Sequence, residues 1–228
     1  MVTILQIETA TQVCSAAIAV NGETVALKEL AAQNIHAGSL TLFIDDVIKQ
    51  AGLAYADLDA VAVSKGPGSY TGLRIGVSTA KGICFATDKP LIAVDTLQMM
   101  AKGFLESDPF YTGLVCPMID ARRMEVFTAL YDVNLKQVLP VTAKIIDEHA
   151  YQNELAAHRI TFLGDGAMKC SETILSPNAG FSDLNFNSAA NMSMLAFELY
   201  SNHNFADLAY FEPYYLKDFV ITAPKKKV

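Results

Sequence analysis

The 228-residue sequence predicts an α/β fold of two similar lobes, each a β-meander followed by alternating helices and strands. Alternating apolar residues near the N-terminus predict strands, and Asn21-Gly22 predicts a two-residue hairpin because both of its positions need positive φ. Apolar residues recur at steps of three and four from Leu40, which indicates a helix. The same order of strands and helices returns after Gly113. This repeat favours two lobes with a cleft between them, and a single mixed sheet with helices on both faces is the alternative.

The first half of the chain predicts the order βββαβαβα. The apolar stripe from Leu40 to Ala51 forms one helix face, and Gly52 is placed to end that helix. The loop at 106–113 contains an Asp108-Pro109 turn and marks a domain boundary, so we expect an N-terminal lobe at 1–107 and a C-terminal lobe at 108–228. The other predicted elements of the first lobe are strands at 2–7, 14–20, 24–30, 58–63 and 91–94, and helices at 73–86 and 96–105.

The second half predicts a shorter version of the same order, βββαβα, and we expect its tail to pack back on the first lobe. Asp147 is placed to cap a helix at 147–157. Residues 177–187 are predicted to be irregular, and the last helix is marked by Met192, Leu195, Ala196 and Leu199, with Ala189-Ala190 at its start. The remaining predicted elements are strands at 114–119, 124–131, 137–146 and 160–163, and a short helix that follows Gly164-Asp165-Gly166.

Composition excludes several classes of protein. A formal charge of −7 argues against independent binding of nucleic acid, which needs clustered Lys and Arg. No apolar run approaches the roughly 18 residues that a membrane-spanning helix needs, and the N-terminus lacks the basic start of a signal peptide. The four cysteines are far apart in the sequence and fit reduced, buried thiols. These observations predict a cytoplasmic protein without membrane contact.

A glycine-rich loop joins a predicted buried strand to a predicted helix. Its glycines can present backbone N–H groups, and Ser69 or Thr71 can cap the helix. Such a loop either contacts a phosphate, or orients the helix as a rigid turn, or is an ordinary strand-to-helix turn; it lacks the Gly-Lys-Ser/Thr ending of a Walker A motif. The residues of this motif loop are Lys65, Gly66, Pro67, Gly68, Ser69, Tyr70, Thr71, Gly72 and Arg74.

Four segments in this order and at these separations carry a family resemblance: ILQIETAT at 4–11, KGPGSYTGLRIGVSTAKG at 65–82, IDARRMEVF at 119–127 and PYYLK at 213–217. Together they resemble the TsaB (YeaZ) family, bacterial proteins of tRNA threonylcarbamoyladenosine biosynthesis and non-catalytic relatives of TsaD. The resemblance implies two ribonuclease H-like lobes of the actin-like, Hsp70-like ATPase superfamily. It implies a subunit that supports the modification of adenosine 37 in tRNA without touching the reacting atoms.

The histidines separate this chain from TsaD. TsaD-type proteins bind a metal through a His-x-x-x-His pair, and Thr96 and Met100 stand at those positions here. A hydroxyl and a thioether are poor ligands for iron or zinc in such a site. The four histidines, His36, His149, His158 and His203, are never four residues apart. We therefore expect no catalytic residue and no metal in this chain, and the same absence argues against a metallopeptidase.

The resemblance also implies partners. Two helices of the first lobe would pair with a TsaD-like catalytic subunit, or with a second copy when that subunit is absent, and a TsaE-like ATPase would join the complex. The interpretation predicts that Val77→Glu or Phe43→Asp lowers complex formation without unfolding the protein. Transfer RNA would bind only through the complex, and ATP or ADP would bind at its interface rather than to this chain alone. The candidate interface residues are Leu40, Phe43, Val47, Val77, Ala80, Lys81 and Cys84; the alternative is that all of them belong to the core.

Three further groups have two interpretations each. Glu8, Thr9 and Thr11 follow the first strand, either as a residual nucleotide contact or as a solvated strand end. The group Asp120, Arg122, Arg123 and Glu125 either forms ion pairs within its hairpin or contacts a partner or tRNA. The basic tail at 224–227 is a solubilising end or a minor phosphate contact.

The main alternative function is that of a small-molecule kinase or ATPase of the actin-like superfamily. The two lobes and the motif loop support it, whereas the shortness of the chain and the lack of catalytic carboxylates beyond Glu8 and Asp120 argue against it.

Overall fold

The computed structural model describes residues 1–32 and 35–217, so the basic segment 224–227 lies outside the described residues. Its first half contains, in chain order, β1 (Thr3–Glu8), β2 (Val13–Val20), β3 (Glu23–Ala31), α1 (His36–Gln50), β4 (Ala60–Ser64), α2 (Tyr70–Thr87), β5 (Leu91–Val94) and α3 (Thr96–Ser107). Its second half contains β6 (Leu114–Asp120), β7 (Glu125–Tyr131), β8 (Gln137–Ile145), α4 (Gln152–Ala157), β9 (Ile160–Leu163), β10 (Ala179–Phe181) and α5 (Ser193–Ser201).

The strands form two five-stranded sheets of the same topology. The first has the order β3-β2-β1-β4-β5 and the second, read from its opposite edge, β8-β7-β6-β9-β10. In both, an antiparallel meander continues into parallel strands that are reached through helical connections. The predicted two-lobed α/β fold is therefore confirmed, and the single-sheet alternative is wrong.

Three local predictions follow from backbone chemistry and are confirmed. Asn21 and Gly22 connect β2 to β3 with φ values of 51° and 87°, which these two residue types tolerate best. Ser69 precedes α2, and its hydroxyl accepts a hydrogen bond from the Gly72 N–H, which has no partner within the helix. Gly52 follows α1 with a φ of 68°, as expected of a residue that ends a helix.

Three apolar clusters form the core, each between layers of helices and sheets. One packs α1 and α2 on the outer face of the first sheet, and one packs α4 on the outer face of the second. The third lies between the sheets and contains residues of α3 and α5, such as Met99, Met100 and Leu195. Helix α5 contacts β1 and β5, so it belongs to the first lobe although it follows the second sheet in the sequence. The predicted boundary between 107 and 108 falls between β5, the last strand of the first sheet, and β6, the first strand of the second, whereas α5 packs on the first sheet from beyond that boundary.

The segment 206–217 also returns to the first lobe. The Ala206 N–H donates to the Leu91 carbonyl at 2.8 Å, and the Tyr214 N–H donates to the Lys65 carbonyl at 2.7 Å. Lys217 then forms an ion pair with Glu125 at the start of β7. This segment, which we call the strap, therefore runs along the first lobe and ends on the second.

Two elements of the second lobe differ from the predictions. Helix α4 begins at Gln152 rather than at 147, because the Asp147 carboxylate accepts from the His149 N–H in a separate turn and Tyr151 has a φ of 62°. Strand β10 lies inside the segment that was predicted to be irregular. Within the described residues, no helix combines the length and the apolar character that a bilayer span requires.

Candidate functional site

The motif loop and the start of α2 lie directly against the end of β1. A β-carbon placed on Gly72 would be 2.1 Å from the Thr9 carbonyl oxygen, and one on Gly68 would be 2.4 Å from the Ala10 carbonyl oxygen. One turn further on, a β-carbon on Gly76 would be 2.2 Å from the Thr9 hydroxyl. The three glycines are four residues apart, so they form one face of the helix start and allow this close approach.

The backbone N–H groups of the loop mostly have partners within the chain. Lys65 donates to the Val94 carbonyl at 2.8 Å, and Ser69 donates to the Ala10 carbonyl at 2.7 Å. Gly66 donates to the Thr96 hydroxyl at 3.1 Å. These bonds fix the loop against three neighbouring elements, which is the arrangement of a rigid loop that orients α2.

The residues after β1 are buried rather than solvated. Glu8 and Thr9 are fully buried and Thr11 is nearly so. One Glu8 oxygen accepts from the Ala10 N–H at 2.5 Å, while Oε2, the Thr9 hydroxyl and the Ser64 hydroxyl have no hydrogen-bond partner in the described part of the chain. Burial raises the pKa of Glu8 from 4.5 to about 7, although the Ala10 N–H partly opposes the shift.

The two positions that correspond to the TsaD histidines take part in packing, one within the first lobe and one between the lobes. The Thr96 hydroxyl, fully buried, accepts the Gly66 N–H of the motif loop. Met100 is also fully buried, and a β-carbon on Gly164 of the second lobe would be 2.5 Å from its terminal methyl group. Both side chains are therefore structural here. No group of three or more metal-ligating His, Cys, Asp or Glu side chains occurs among residues 1–32 and 35–217.

The candidate interface residues lie mostly in the core. Leu40, Phe43, Val47, Val77, Ala80 and Cys84 pack in the cluster between the first sheet and helices α1 and α2. Phe43 and Val77 are only 8% and 4% exposed. A charged side chain at either position would be buried, so Phe43→Asp and Val77→Glu would perturb folding, contrary to the sequence-based expectation.

Lys81 has a different role from the rest of that group. Its ammonium donates to the Ala209 and Phe211 carbonyls of the strap, both at 3.1 Å. Tyr70 and Tyr215 place their ring centroids 4.8 Å apart nearby. The sequence alone gave no sign that Lys81 and Tyr70 hold the strap, because their partners are more than a hundred residues away.

The surface that α1 and α2 leave open is an apolar groove between the two helices. Its volume is about 440 Å³, and Thr41, Ile44, Gly82, Ile83 and Ala86 are among the residues that line it. Two large apolar side chains on the same helices, Leu42 and Phe85, are 61% and 84% exposed. Exposed apolar surface of this kind is typical of a protein–protein contact. The groove lies on the two helices to which the sequence analysis assigned a partner contact, but none of its lining residues is among the candidates named there.

Charged side chains cluster at the hairpin that joins β6 to β7. This hairpin is the counterpart, in the second sheet, of the turn that follows β1 in the first. The Asp120 carboxylate accepts from the Arg122 N–H and from the Lys169 ammonium. Asp165 accepts from the Asp120 N–H, and burial raises the pKa of Asp165. Glu125 pairs with Lys217 of the strap.

His36 lies at the start of α1 but is buried, and its Nε2 is 3.2 Å from the Val13 carbonyl oxygen. The ring here links α1 to β2.

Comparison with known proteins identifies the family. Residues 28–222 match the family model described as TsaD: tRNA N6-adenosine threonylcarbamoyltransferase. Over 125 residues the chain is 37% identical to the tRNA threonylcarbamoyladenosine biosynthesis protein TsaB of Haemophilus influenzae, and over 128 residues 37% identical to that of Escherichia coli. These matches cover 55% and 56% of this chain and 52% and 54% of the relatives. The chain thus spans about half the length of the curated relatives it matches.

Solved structures agree with this assignment. YeaZ from Pseudomonas aeruginosa superposes with a TM-score of 0.81 and 25% identity, over 95% of this chain and all of that one. An activator of 2-hydroxyisocaproyl-CoA dehydratase from Clostridium difficile has a TM-score of 0.53 and 11% identity, over 89% of this chain and 97% of that one, and shares the fold alone. The match across most of the chain, together with the motif loop packed on the end of β1, shows that this chain belongs to the tRNA N6-adenosine threonylcarbamoyltransferase family, in its TsaB (YeaZ) group.

Proposed function

We propose that this chain is a non-catalytic subunit that supports tRNA threonylcarbamoyladenosine formation by pairing with a TsaD-like catalytic subunit. The observation that carries the proposal is the use of Thr96 and Met100. Where TsaD-type proteins have two metal-binding histidines, this chain has a hydroxyl that accepts the Gly66 N–H and a methyl group packed at Gly164. Both side chains are committed to the fold, so the reacting groups would come from the partner.

The groove between α1 and α2 is the proposed contact with the partner. It is apolar and lies on the two helices that the family resemblance implies, and the same helices carry the exposed apolar side chains of Leu42 and Phe85. A helix pair of the partner that packs into the groove would bury these side chains in a four-helix contact. The same surface would pair with a second copy of this chain when the partner is absent.

In the proposed complex, the catalytic subunit transfers a threonylcarbamoyl group from its adenylate to N6 of adenosine 37, and AMP leaves. This chain positions or activates that subunit in the cytoplasm. A TsaE-like ATPase joins the complex, ATP or ADP binds at its interface, and tRNA binds through the assembly. The formal charge of −7 supports this division of roles, because an acidic chain repels RNA over most of its surface.

Reconstitution tests the proposal. Purified catalytic subunit, ATPase, threonylcarbamoyl adenylate and tRNA are assayed for modified adenosine with and without this chain. We expect modification to depend on the chain, and the chain alone to produce none. Undiminished modification without the chain, or modification by the chain alone, would contradict the proposal.

The kinase or ATPase alternative places Glu8, Thr9 and Thr11 in contact with a nucleotide. These side chains are buried, and Thr9 lies against Gly72 and Gly76, which argues against that contact in this conformation. Isothermal titration of the isolated chain with ATP and Mg²⁺ tests the alternative directly. Tight binding accompanied by turnover would favour it over the scaffold role.

A further inference from the structure

The tip of the β6–β7 hairpin has an unusual backbone. Arg122 and Arg123 both have positive φ, at 71° and 52°. Side chains with a β-carbon seldom adopt this conformation, which costs free energy at each position. The β2–β3 hairpin of the same chain meets a similar demand with Asn21-Gly22, the residue types that tolerate it best. Two arginines at the tip of β6–β7 therefore call for a reason other than the formation of the turn.

Lys169 holds this tip in place. Its ammonium donates to the Arg123 carbonyl at 2.7 Å, to the Glu125 carbonyl at 2.8 Å and to an Asp120 carboxylate oxygen at 2.5 Å. The same Asp120 oxygen accepts from the Arg122 N–H at 2.7 Å. The backbone on both sides of the arginines is thus fixed, and their guanidinium groups extend from a rigid base.

Most charges around the tip neutralise one another. Lys169 pairs with Asp120 and Lys217 pairs with Glu125. Asp165, the remaining neighbouring carboxyl, accepts from the Asp120 N–H, and its burial disfavours the charged form. Arg122 and Arg123 are exposed, and their guanidinium groups form no ion pair with any described residue. An exposed, unpaired pair of positive charges thus remains on a chain of net charge −7.

We propose that the Arg122–Arg123 tip binds the phosphodiester backbone of the tRNA during modification; this proposal rests on the proposed function. A guanidinium group is always charged, and its planar fork matches two phosphate oxygens. Contacts of this kind position a nucleic acid without reading its sequence. Since most of the chain repels a polyanion, a small rigid cationic tip would guide the RNA backbone to one place on the subunit.

The decisive variant is Arg122→Asn/Arg123→Gly, which removes both guanidinium groups and keeps residue types suited to positive φ. We expect it to raise the melting temperature, because the backbone strain is relieved. In the complete complex we expect about tenfold weaker tRNA binding, in line with the loss of charge-assisted hydrogen bonds to phosphate. The slope of log affinity against log salt should fall by about 1 to 2.

Two variants serve as controls. Arg122→Lys/Arg123→Lys keeps the charge but not the fork, so it should retain most of the salt dependence and only part of the affinity. Lys136→Ala/Arg159→Ala removes the same number of positive charges from exposed positions at the opposite end of the second sheet's strands, and should bind tRNA like the wild type. Binding is measured by fluorescence anisotropy with labelled tRNA, on the complex and on the full chain alone at low salt.

The outcomes separate the two proposals. If the wild-type chain is required for modification but the Asn-Gly variant binds tRNA as tightly as the wild type, the role of the tip is overturned and the proposed function stands. If the chain is dispensable for modification but its RNA binding depends on the arginines, the proposed function is overturned and the binding of RNA by the tip stands. Loss of co-elution with the catalytic subunit in the Asn-Gly variant would assign the arginines to a protein contact and overturn the proposal.

Discussion

The Thr9 hydroxyl occupies the space that a side chain on Gly76 would need, since a β-carbon there would be only 2.2 Å away. Gly76→Ala must therefore push α2 away from the end of β1. We expect a loss of about 1 to 3 kcal/mol in the free energy of unfolding, measured by urea denaturation. Gly82→Ala lies in the same helix with no atom within 4 Å of its β-carbon, and should stabilise by up to about 1 kcal/mol. Equal effects of the two substitutions would contradict this account.

The buried Glu8 carboxyl makes stability depend on pH. Its pKa rises from 4.5 to about 7 on folding, so the unfolded chain loses this proton first as the pH increases. The contribution of Glu8 to stability is therefore greatest below pH 4.5 and decreases by about 3 kcal/mol up to pH 7. Glu8→Gln removes the titration, so the stability of the variant relative to the wild type should increase over that range. Chemical denaturation at several pH values measures the difference, and parallel curves would contradict it.

The groove between α1 and α2 can be filled without disturbing the fold. Ala86 is exposed and lines the groove, so Ala86→Arg places a long side chain where the partner would pack. We expect co-elution with the TsaD-like subunit to be lost and the free energy of unfolding to change by less than about 0.5 kcal/mol. Ala156→Arg, at an exposed position in α4 of the second lobe, is the matched control and should leave co-elution intact.

All four cysteines are buried and free. Burial raises the pKa of Cys14 and of Cys84 to about 11 and that of Cys116 to about 12. Because the thiolate is the reactive form, native protein at pH 8 should react slowly with a thiol reagent such as DTNB, and four thiols should react at once in denaturant. A fast-reacting thiol in the native protein would show that a buried site opens readily.

Lys81 tests the attachment of the strap. Lys81→Met keeps the aliphatic stem but removes the two hydrogen bonds to the Ala209 and Phe211 carbonyls. We expect faster amide hydrogen exchange at 206–217 with little change in the midpoint of global unfolding. Lys49→Met, at the exposed end of α1, should leave the exchange of the strap unchanged.

Local chemistry explains which parts of the fold could be predicted from the sequence. The Asn21-Gly22 hairpin, strand β5 and the Ser69 cap each depend on residues close together in the chain, and each was predicted. Strand β10 has only three residues and gains its order from pairing with β9, so its own sequence carries no period that could reveal it. Asp147 was a plausible cap, but helix α4 begins only at Gln152, because Tyr151 before it has a positive φ.

The candidate site was predicted less completely, because its contacts join distant residues. The motif glycines stand out in the sequence, but nothing local shows that they pack on Thr9 and Ala10 or that Glu8 is buried. Periodicity identified α1 and α2 as apolar helices, yet both the sheet side and the groove side contain apolar residues. Only the packing assigns Phe43 and Val77 to the core and Ala86 to the surface.

The return of α5 and the strap to the first lobe bears on how the chain folds as it is made. One face of the first sheet is covered by residues near 189–201, among them Ser193, which donates to Gln6 at 3.0 Å. A ribosome releases the N-terminus first, so β1 to β5 emerge long before the segment that covers them. One side of the first sheet would therefore stay open until residues 189–201 have been synthesised, and a chain that stops before them would leave that apolar face exposed to aggregation.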